Sequence, residues 1–110
     1  DIAFNTNGTK MFIVGSSGDD VNEYDLTTGF DISTASYSQN FSFATETTTP
    51  QTIVFNTDGT KMFTVGGSTA YAYTLSTGFD VSTASYDSSS FSFSSQESSA
   101  NKVRFNRFSV

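Results

Sequence analysis

Carboxylates are the side chains of this sequence best able to do chemistry, and the densest group is Asp19 and Asp20 with Glu23 and Asp25. Oxygen ligands of this kind are the ones that Ca²⁺ takes in proteins. Asp19 and Asp20 are therefore candidate calcium ligands. The alternative is a solvated loop followed by outward-facing strand positions. We prefer the alternative, because the matching segment 68–70 in the second half of the chain has no carboxylate.

A second pair of carboxylates, Asp31 and Asp80, recurs in the motif Gly-Phe-Asp-x-Ser-Thr-Ala-Ser-Tyr, which ends at Tyr37 and Tyr86. An Asp two residues before a Ser accepts hydrogen bonds from nearby backbone N–H groups and fixes a turn. Ligand contact is the alternative, in which the carboxylates bind polar groups and the Tyr rings stack on a sugar. For the tyrosines the choice lies between a packed core, which we favour, and an exposed binding surface.

The residue types that are missing restrict the reactions available to this chain. It has no His and no Cys, so the commonest general base is absent, and so are thiolate nucleophiles, disulfides and zinc–thiolate sites. No Ser stands at a spacing from Lys or a carboxylate that suggests a nucleophile with its base. We therefore predict a protein that is not an enzyme and that needs no cofactor.

The charge of the chain restricts its partners. The net charge is −6, with 5 basic residues against 11 acidic ones. Nucleic acids and anionic membrane surfaces are bound by clustered Lys and Arg, which this sequence lacks. It also lacks an apolar run long enough to cross a bilayer. We expect neither nucleic-acid binding nor membrane insertion.

The elements that carry these residues are repeated about 50 residues apart. The run 4–12, Phe-Asn-Thr-Asn-Gly-Thr-Lys-Met-Phe, returns at 55–63 with one change, and the run 28–37 returns at 77–86. Each repeat has four short segments in which apolar residues alternate with polar ones, which is the period of a strand. In the first repeat they are 2–4, 10–14, 21–26 and a segment centred on 41–43. These patterns predict an all-β fold with one four-stranded antiparallel sheet per repeat.

The first two segments of each repeat are joined by a turn in which Asx residues lead into Gly. Such a sequence suits a type I turn in which the Gly takes a positive φ and closes a hairpin. Asn and Asp side chains are also typical ligands, but turn formation accounts for them here. The residues assigned this turn-forming role are Asn5, Asn7 and Gly8 in the first repeat, and Asn56, Asp58 and Gly59 in the second.

Four strands in about 50 residues are the size of one propeller blade. The run 55–63, with Tyr-x-Leu-Ser-Thr-Gly-Phe-Asp at 73–80, resembles blades of the broad β-propeller group that includes WD, NHL-type and lactonase-like repeats. It resembles in particular the Ser/Thr-rich repeats of marine bacterial and phage proteins. The chain lacks the Trp-Asp pair of WD blades and the Ser-x-Asp-x-Gly-x-x-Trp box of sialidase-type propellers. No function carries over from those subfamilies.

This resemblance implies two tandem blades, residues 1–52 and 53–102, followed in 103–110 by the first strand of a further repeat or by a terminal segment. A propeller needs roughly four to eight blades, so two do not close a ring. We therefore expect further blades as partners, supplied by the same polypeptide or by identical chains.

The function expected on these grounds is a non-catalytic structural or binding module. It belongs to an extracellular or virion-surface propeller that presents loops for glycan or protein recognition. The alternative is part of a propeller enzyme, lactonase-like or glycan-cleaving, whose active residues lie on other blades. A carboxylate cluster or a bound metal in the central channel would favour the enzyme.

Overall fold

The computed structural model of the protein describes residues 1–104, and within them the fold is all-β, as predicted. Two four-stranded antiparallel sheets are present, and in each the strands are neighbours in chain order. Sheet 1 contains β1 (Ile2–Phe4), β2 (Lys10–Gly15), β3 (Asp20–Leu26) and β4 (Ala35–Ser42). Sheet 2 contains β5 (Val54–Phe55), β6 (Lys61–Gly66), β7 (Thr69–Leu75) and β8 (Ala84–Ser92).

Two features of the strands differ from the sequence prediction. β4 begins at Ala35, so it is longer than the segment centred on 41–43. Each fourth strand also follows a one-turn 3₁₀ helix, Ile32–Thr34 and Val81–Thr83. Val103 and Arg104 are not in a strand, and the rest of the predicted further repeat, 105–110, lies outside the described residues. Within residues 1–104 no helix is long and apolar enough to cross a membrane.

The turn between β1 and β2 is held by its own side chains. Asn5 Oδ1 accepts a hydrogen bond from Lys10 N at 3.0 Å, and Asn7 Oδ1 accepts one from Thr9 N at 3.1 Å. Gly8 has a φ of 75°, which glycine adopts without the steric penalty of a Cβ. Equivalent contacts hold the turn between β5 and β6, from Lys61 to Asn56 and from Thr60 to Asp58.

A phenylalanine covers each of these turns. Phe79 has a φ of 61°, a left-handed conformation that costs a non-glycine residue about 1–2 kcal/mol. Its N–H donates to the carbonyl of Gly59 at 3.0 Å, and its ring fills the space that a Cβ on Gly59 would need. The ring centroid lies 5.2 Å from that of Phe55, so aromatic packing offsets the backbone strain. Phe30, with a φ of 63°, covers Gly8 in the same way.

The hydrophobic core lies between the two sheets. The ring of Phe12 in β2 lies 4.5 Å from that of Phe55 in β5. At the other end of the interface, Phe43 and Phe41 lie 5.1 and 5.6 Å from Tyr73 in β7. Each aromatic ring removed from water contributes on the order of 1.5–3 kcal/mol. Because these rings come from different sheets, each sheet is stabilised by the other.

Three glycines allow the backbone strain and the ring contact to be measured separately. We expect Gly59→Ala to lower the free energy of unfolding by about 2–4 kcal/mol, because the backbone becomes strained and the new Cβ clashes with the Phe79 ring. Gly67→Ala, with a φ of 61° and open space around it, should lose only the strain, about 1–2 kcal/mol. Urea unfolding measures both.

Gly15→Ala is the control for this series. No atom lies within 4 Å of the added Cβ, and the residue has no positive φ. Its free energy of unfolding should stay within about 0.5 kcal/mol of the wild-type value. Equal losses for Gly59→Ala and Gly67→Ala would show that the Phe79 ring does not constrain the turn.

Candidate functional site

The two candidate calcium ligands lie at the end of the turn between β2 and β3. The two carboxylate oxygens of Asp20 accept amide N–H groups, from Asn22 at 3.1 Å and from Asn40 at 2.7 Å. Asp19 has a φ of 55°, and its buried Oδ1 atom has no hydrogen-bond partner. Within residues 1–104 no three acidic side chains come close enough together to hold a metal ion. The carboxylate of Asp20 therefore belongs to a hydrogen-bond network with asparagines.

Asp31 and Asp80 cap the two 3₁₀ turns. Asp80 Oδ1 accepts from Ser82 N at 3.1 Å and from Ser82 Oγ at 2.6 Å, and Asp31 makes the same contacts with Ser33. Asp80 Oδ1 also accepts from Gln39 Nε2 of sheet 1 at 2.7 Å. The hydrogen bond from Ser82, together with that from Gln39, holds the pKa of Asp80 below its ordinary value of 3.8. Both carboxylates are engaged within the protein.

Tyr37 and Tyr86 occupy equivalent positions in different surroundings. Tyr86 lies 5.4 Å from Tyr73 and is partly covered at the interface. Tyr37 packs edge-on against Tyr24 at 5.7 Å and is 59% exposed. Tyr37 is therefore the tyrosine of this pair whose ring is open to a partner.

Glu23 organises the interface between the sheets, and the expectation that it faces solvent was wrong. It is completely buried, because sheet 2 covers its side of β3. Its Oε2 accepts from Lys10 Nζ at 2.6 Å. Its Oε1 accepts from Gln39 Nε2 at 3.1 Å and from the backbone N–H of Val81, in the second 3₁₀ turn, at 3.0 Å. We call these four residues the Glu23 network.

Lys10 is the cation of this network. Burial alone lowers the pKa of Lys10, but its hydrogen bonds to Glu23 and Asp25 outweigh that effect and raise the pKa above the ordinary 10.5. The raised pKa contributes stability that is complete below pH 10.5 and is lost as the pH rises through the higher folded value. Lys10 therefore stays charged at neutral pH and compensates the buried carboxylate.

The second repeat lacks this network. Ala72 and Ser89 are paired across β7 and β8 where sheet 1 pairs the buried Glu23 with the half-buried Gln39. Lys61, the counterpart of the network lysine, pairs instead with Asp87 Oδ2 at 3.1 Å. Asp87 lies in a β8 bulge that is one residue longer than the bulge in β4. Asp87 thus gives Lys61 a carboxylate partner, although Ala72 stands at the position of Glu23.

Further hydrogen bonds join the two repeats at the edges of the interface. Tyr73 OH donates to Glu46 Oε1 at 2.9 Å. Burial of the Tyr73 hydroxyl and its hydrogen bond to Glu46 raise its pKa, so it remains a donor. Asp1 Oδ2 accepts from Thr52 Oγ1 at 2.8 Å and from Ile53 N at 3.1 Å. The contact between sheets therefore combines aromatic packing with polar contacts at specific positions.

Each sheet has an outer face, and several residues on these faces are exposed although the equivalent residues of the other repeat are covered at the interface between the sheets. Outer face 1, the side of sheet 1 turned away from sheet 2, carries Ile32 with 65% exposure, whereas its counterpart Val81 is completely buried. Outer face 2, the far side of sheet 2, carries Phe91 with 67% exposure, whereas Phe41 packs on Tyr73. Exposed apolar residues grouped on one face are typical of interaction surfaces.

A cleft of about 480 Å³ opens between β1 and β5. Phe4 and Phe30, 5.3 Å apart, supply an aromatic wall, and Thr6 and Thr57 lie on its rim. Neither Thr side chain makes a hydrogen bond within residues 1–104. Arg104 is the charged residue among the described residues that line the cleft, and none of these is acidic. Arg104 is already paired with Asp1 Oδ1 at 3.4 Å, so this combination of rings and free hydroxyls suits an uncharged ligand.

Sequence reasoning missed both the Glu23 network and the cleft. The signal that could have indicated the network is the difference between repeats, in which Glu23 and Gln39 are both replaced together, by Ala72 and Ser89. Such a paired change is expected of residues that contact each other. The cleft has no comparable signal, because it forms where the first strands of two separate sheets meet.

Removing the buried carboxylate tests the network. We expect Glu23→Ala to lower the free energy of unfolding by about 3 kcal/mol, because it leaves Lys10, Gln39 and the Val81 N–H without their acceptor. Asp25→Ala removes the other carboxylate on Lys10, which is 57% exposed, and should lose about 0–1 kcal/mol. Urea unfolding of both variants measures the difference. Equal losses would contradict a special role for Glu23.

Acid should weaken the interface through Asp80. Because its folded pKa lies below 3.8, its contribution to stability is present above pH 3.8 and is lost as the pH falls through the lower folded value. Asp80→Asn should therefore show a smaller loss of unfolding free energy with acidification. Gln39→Ala, which removes one of the hydrogen bonds to Asp80, should give an intermediate slope. Identical slopes in all three proteins would exclude this role.

Comparison of the chain with protein-family models, curated proteins and solved structures finds no match. The chain is therefore assigned to no family on this basis. Its repeated sheets, the Glu23 network, the two outer faces and the cleft are the observations from which its function is inferred.

Proposed function

We propose that this chain is a non-catalytic structural and binding module formed by two blades of a β-propeller. The propeller belongs to an extracellular or virion-surface protein and recognises a glycan or a protein. The blade assignment is supported by two repeats that each form one up-and-down four-stranded sheet, packed face against face. Propellers are built by repeating such sheets around an axis.

The cleft between β1 and β5 is the observation that carries the recognition function. Sugar rings bind to aromatic side chains through their apolar faces and to hydroxyl groups through hydrogen bonds, and binding sites combine a few such polar groups with an apolar wall. Phe4 and Phe30 supply the wall, and Thr6 and Thr57 offer unpaired hydroxyls. These groups favour a glycan as the first ligand to test, with a protein as the alternative.

A binding role is also supported by how the carboxylates are used. A general acid or base must reach the substrate with a carboxylate that is free to exchange a proton. Glu23 is buried in an ion pair, Asp80 caps a helix turn, and Asp20 is hydrogen-bonded to two asparagines. These three carboxylates are therefore occupied by partners within the protein.

A glycan array followed by calorimetric titration tests this proposal. We expect a glycan ligand whose affinity falls about tenfold in the double variant Thr6→Val/Thr57→Val, since each lost hydrogen bond contributes about 0.5–1.5 kcal/mol. Valine keeps the size of threonine, and both residues are exposed, so the fold should be unaffected. The matched control is Thr27→Val/Thr45→Val, at two exposed positions outside the cleft.

The control variant should bind as the wild type does. Equal affinity of the cleft variant and the wild type would place the binding site elsewhere. If no glycan binds, the glycan proposal fails, and a protein ligand whose binding depends on Thr6 and Thr57 becomes the remaining form of the recognition function.

A further inference from the structure

We infer that outer face 2 of one molecule is a docking surface for outer face 1 of a second copy of this chain. The inference goes beyond the proposed recognition function, which uses the cleft. It rests on a comparison with the interface between sheets 1 and 2. Outer face 2 carries the counterparts of the residues that sheet 1 contributes to that interface, and outer face 1 carries the counterparts of those that sheet 2 contributes.

Outer face 2 carries the counterparts of the residues that sheet 1 contributes to the internal interface. Sheet 1 meets sheet 2 through Phe41 and Phe43, which pack on Tyr73. Phe91 and Phe93 are their counterparts in sheet 2, and Phe91 pairs with Ala70 as Phe41 pairs with Val21. These two aromatic residues have no sheet over them in the described structure, and Phe91 is 67% exposed.

Outer face 1 carries the counterparts of the residues that sheet 2 contributes to the internal interface. Sheet 2 meets sheet 1 through Tyr73, Tyr86 and the 3₁₀ turn that contains Val81. The counterparts on sheet 1 are Tyr24, Tyr37 and Ile32, the last being 65% exposed. A second copy placed against outer face 2 would bring Tyr24 over Phe91 and Phe93. It would also cover Ile32, as Val81 is covered inside the molecule.

Polar groups at the new contact are partly in place. On outer face 2, Lys61 holds the position of the network lysine, and Gln96 follows Phe93 as Glu46 follows Phe43, with the same backbone hydrogen bond. An amide oxygen at Gln96 can accept the Tyr24 hydroxyl of the second copy, as Glu46 accepts that of Tyr73.

The missing part of the contact is the acceptor for the 3₁₀ turn. Ala72 and Ser89 provide neither the carboxylate that accepts the Val81 N–H inside the molecule nor the amide that binds Asp80. The N–H of Ile32 in a second copy therefore finds no partner at this point. The contact between copies is consequently weaker than the internal one, and it should depend on protein concentration.

The contact is head-to-tail, since it joins different faces of the two copies. Such a heterologous contact closes into a ring when its rotation permits and otherwise extends as a filament. A ring of roughly four to eight blades would need about two to four copies of this two-sheet chain.

Two variants that each block one face provide the test. Ile32→Asp blocks outer face 1 and Phe91→Asp blocks outer face 2, and both side chains are mostly exposed, so the fold should be unaffected. Circular dichroism and urea unfolding verify this. In sedimentation velocity the wild type should associate at millimolar concentration, into a discrete ring or a growing filament. Each variant alone should be monomeric, and their mixture should form a 1:1 dimer that grows no further.

A gain of affinity tests the register of the contact. Ala72→Glu/Ser89→Gln rebuilds the carboxylate and the amide beside Lys61, opposite the Ile32 N–H and Asp31 of the second copy. We expect association to tighten about tenfold, as charge-assisted hydrogen bonds form across the contact. Ser17→Glu, at an exposed turn residue away from both faces, adds one negative charge and should leave association unchanged.

Several outcomes would overturn the inference. A wild type that stays monomeric at millimolar concentration removes the contact between copies. If one blocked variant alone still forms a dimer, the contact joins two identical faces and is not head-to-tail. If the rebuilt network leaves association unchanged, the register is wrong. None of these results bears on glycan binding by Thr6 and Thr57, so the two proposals fail independently.

Discussion

The face-to-face packing of the two four-stranded sheets is the central contact of this fold. An up-and-down sheet of short strands has two apolar faces and is only marginally stable when it stands alone. Phe12 and Phe43 of sheet 1 and Tyr73 of sheet 2 are completely buried where the two sheets meet. The Glu23 network adds a position-specific contact, since its carboxylate must meet one backbone N–H of the neighbouring sheet. Aromatic burial thus provides most of the stabilisation, and the network sets the alignment.

Much of this architecture follows from local sequence. The repeat, the alternation of apolar residues and the Asx–Gly turns depend on neighbouring residues, so the all-β class and the two sheets were predictable. The motif led us to expect that Asp31 and Asp80 fix turns, but it did not predict that each turn is a 3₁₀ helix. The burial of Glu23 was also missed, because it depends on Val81, which is 58 residues away in the chain. No pattern within β3 distinguishes it from an outward-facing acidic residue.

The candidate binding residues show the same limit. Tyr37 and Tyr86 end identical motifs, yet one is exposed and the other packs against Tyr73. Their difference comes from which sheet lies in front of them, which no local motif contains. Asp31 and Asp80 have the same local role, but only Asp80 reaches across to Gln39. Identical sequence therefore gives different accessibility, and repeats need to be compared in three dimensions before roles are assigned.

The replacement of Glu23 by Ala72 in the second repeat has a consequence for how such arrays evolve. Lys61 is paired with Asp87 in the longer bulge of β8, so its charge is compensated although Ala72 carries no carboxylate. Two repeats can therefore keep the same fold while the faces that contact neighbouring sheets differ. One paired difference, Glu23–Gln39 against Ala72–Ser89, thus makes two sheets of similar sequence present different polar groups to a neighbouring sheet.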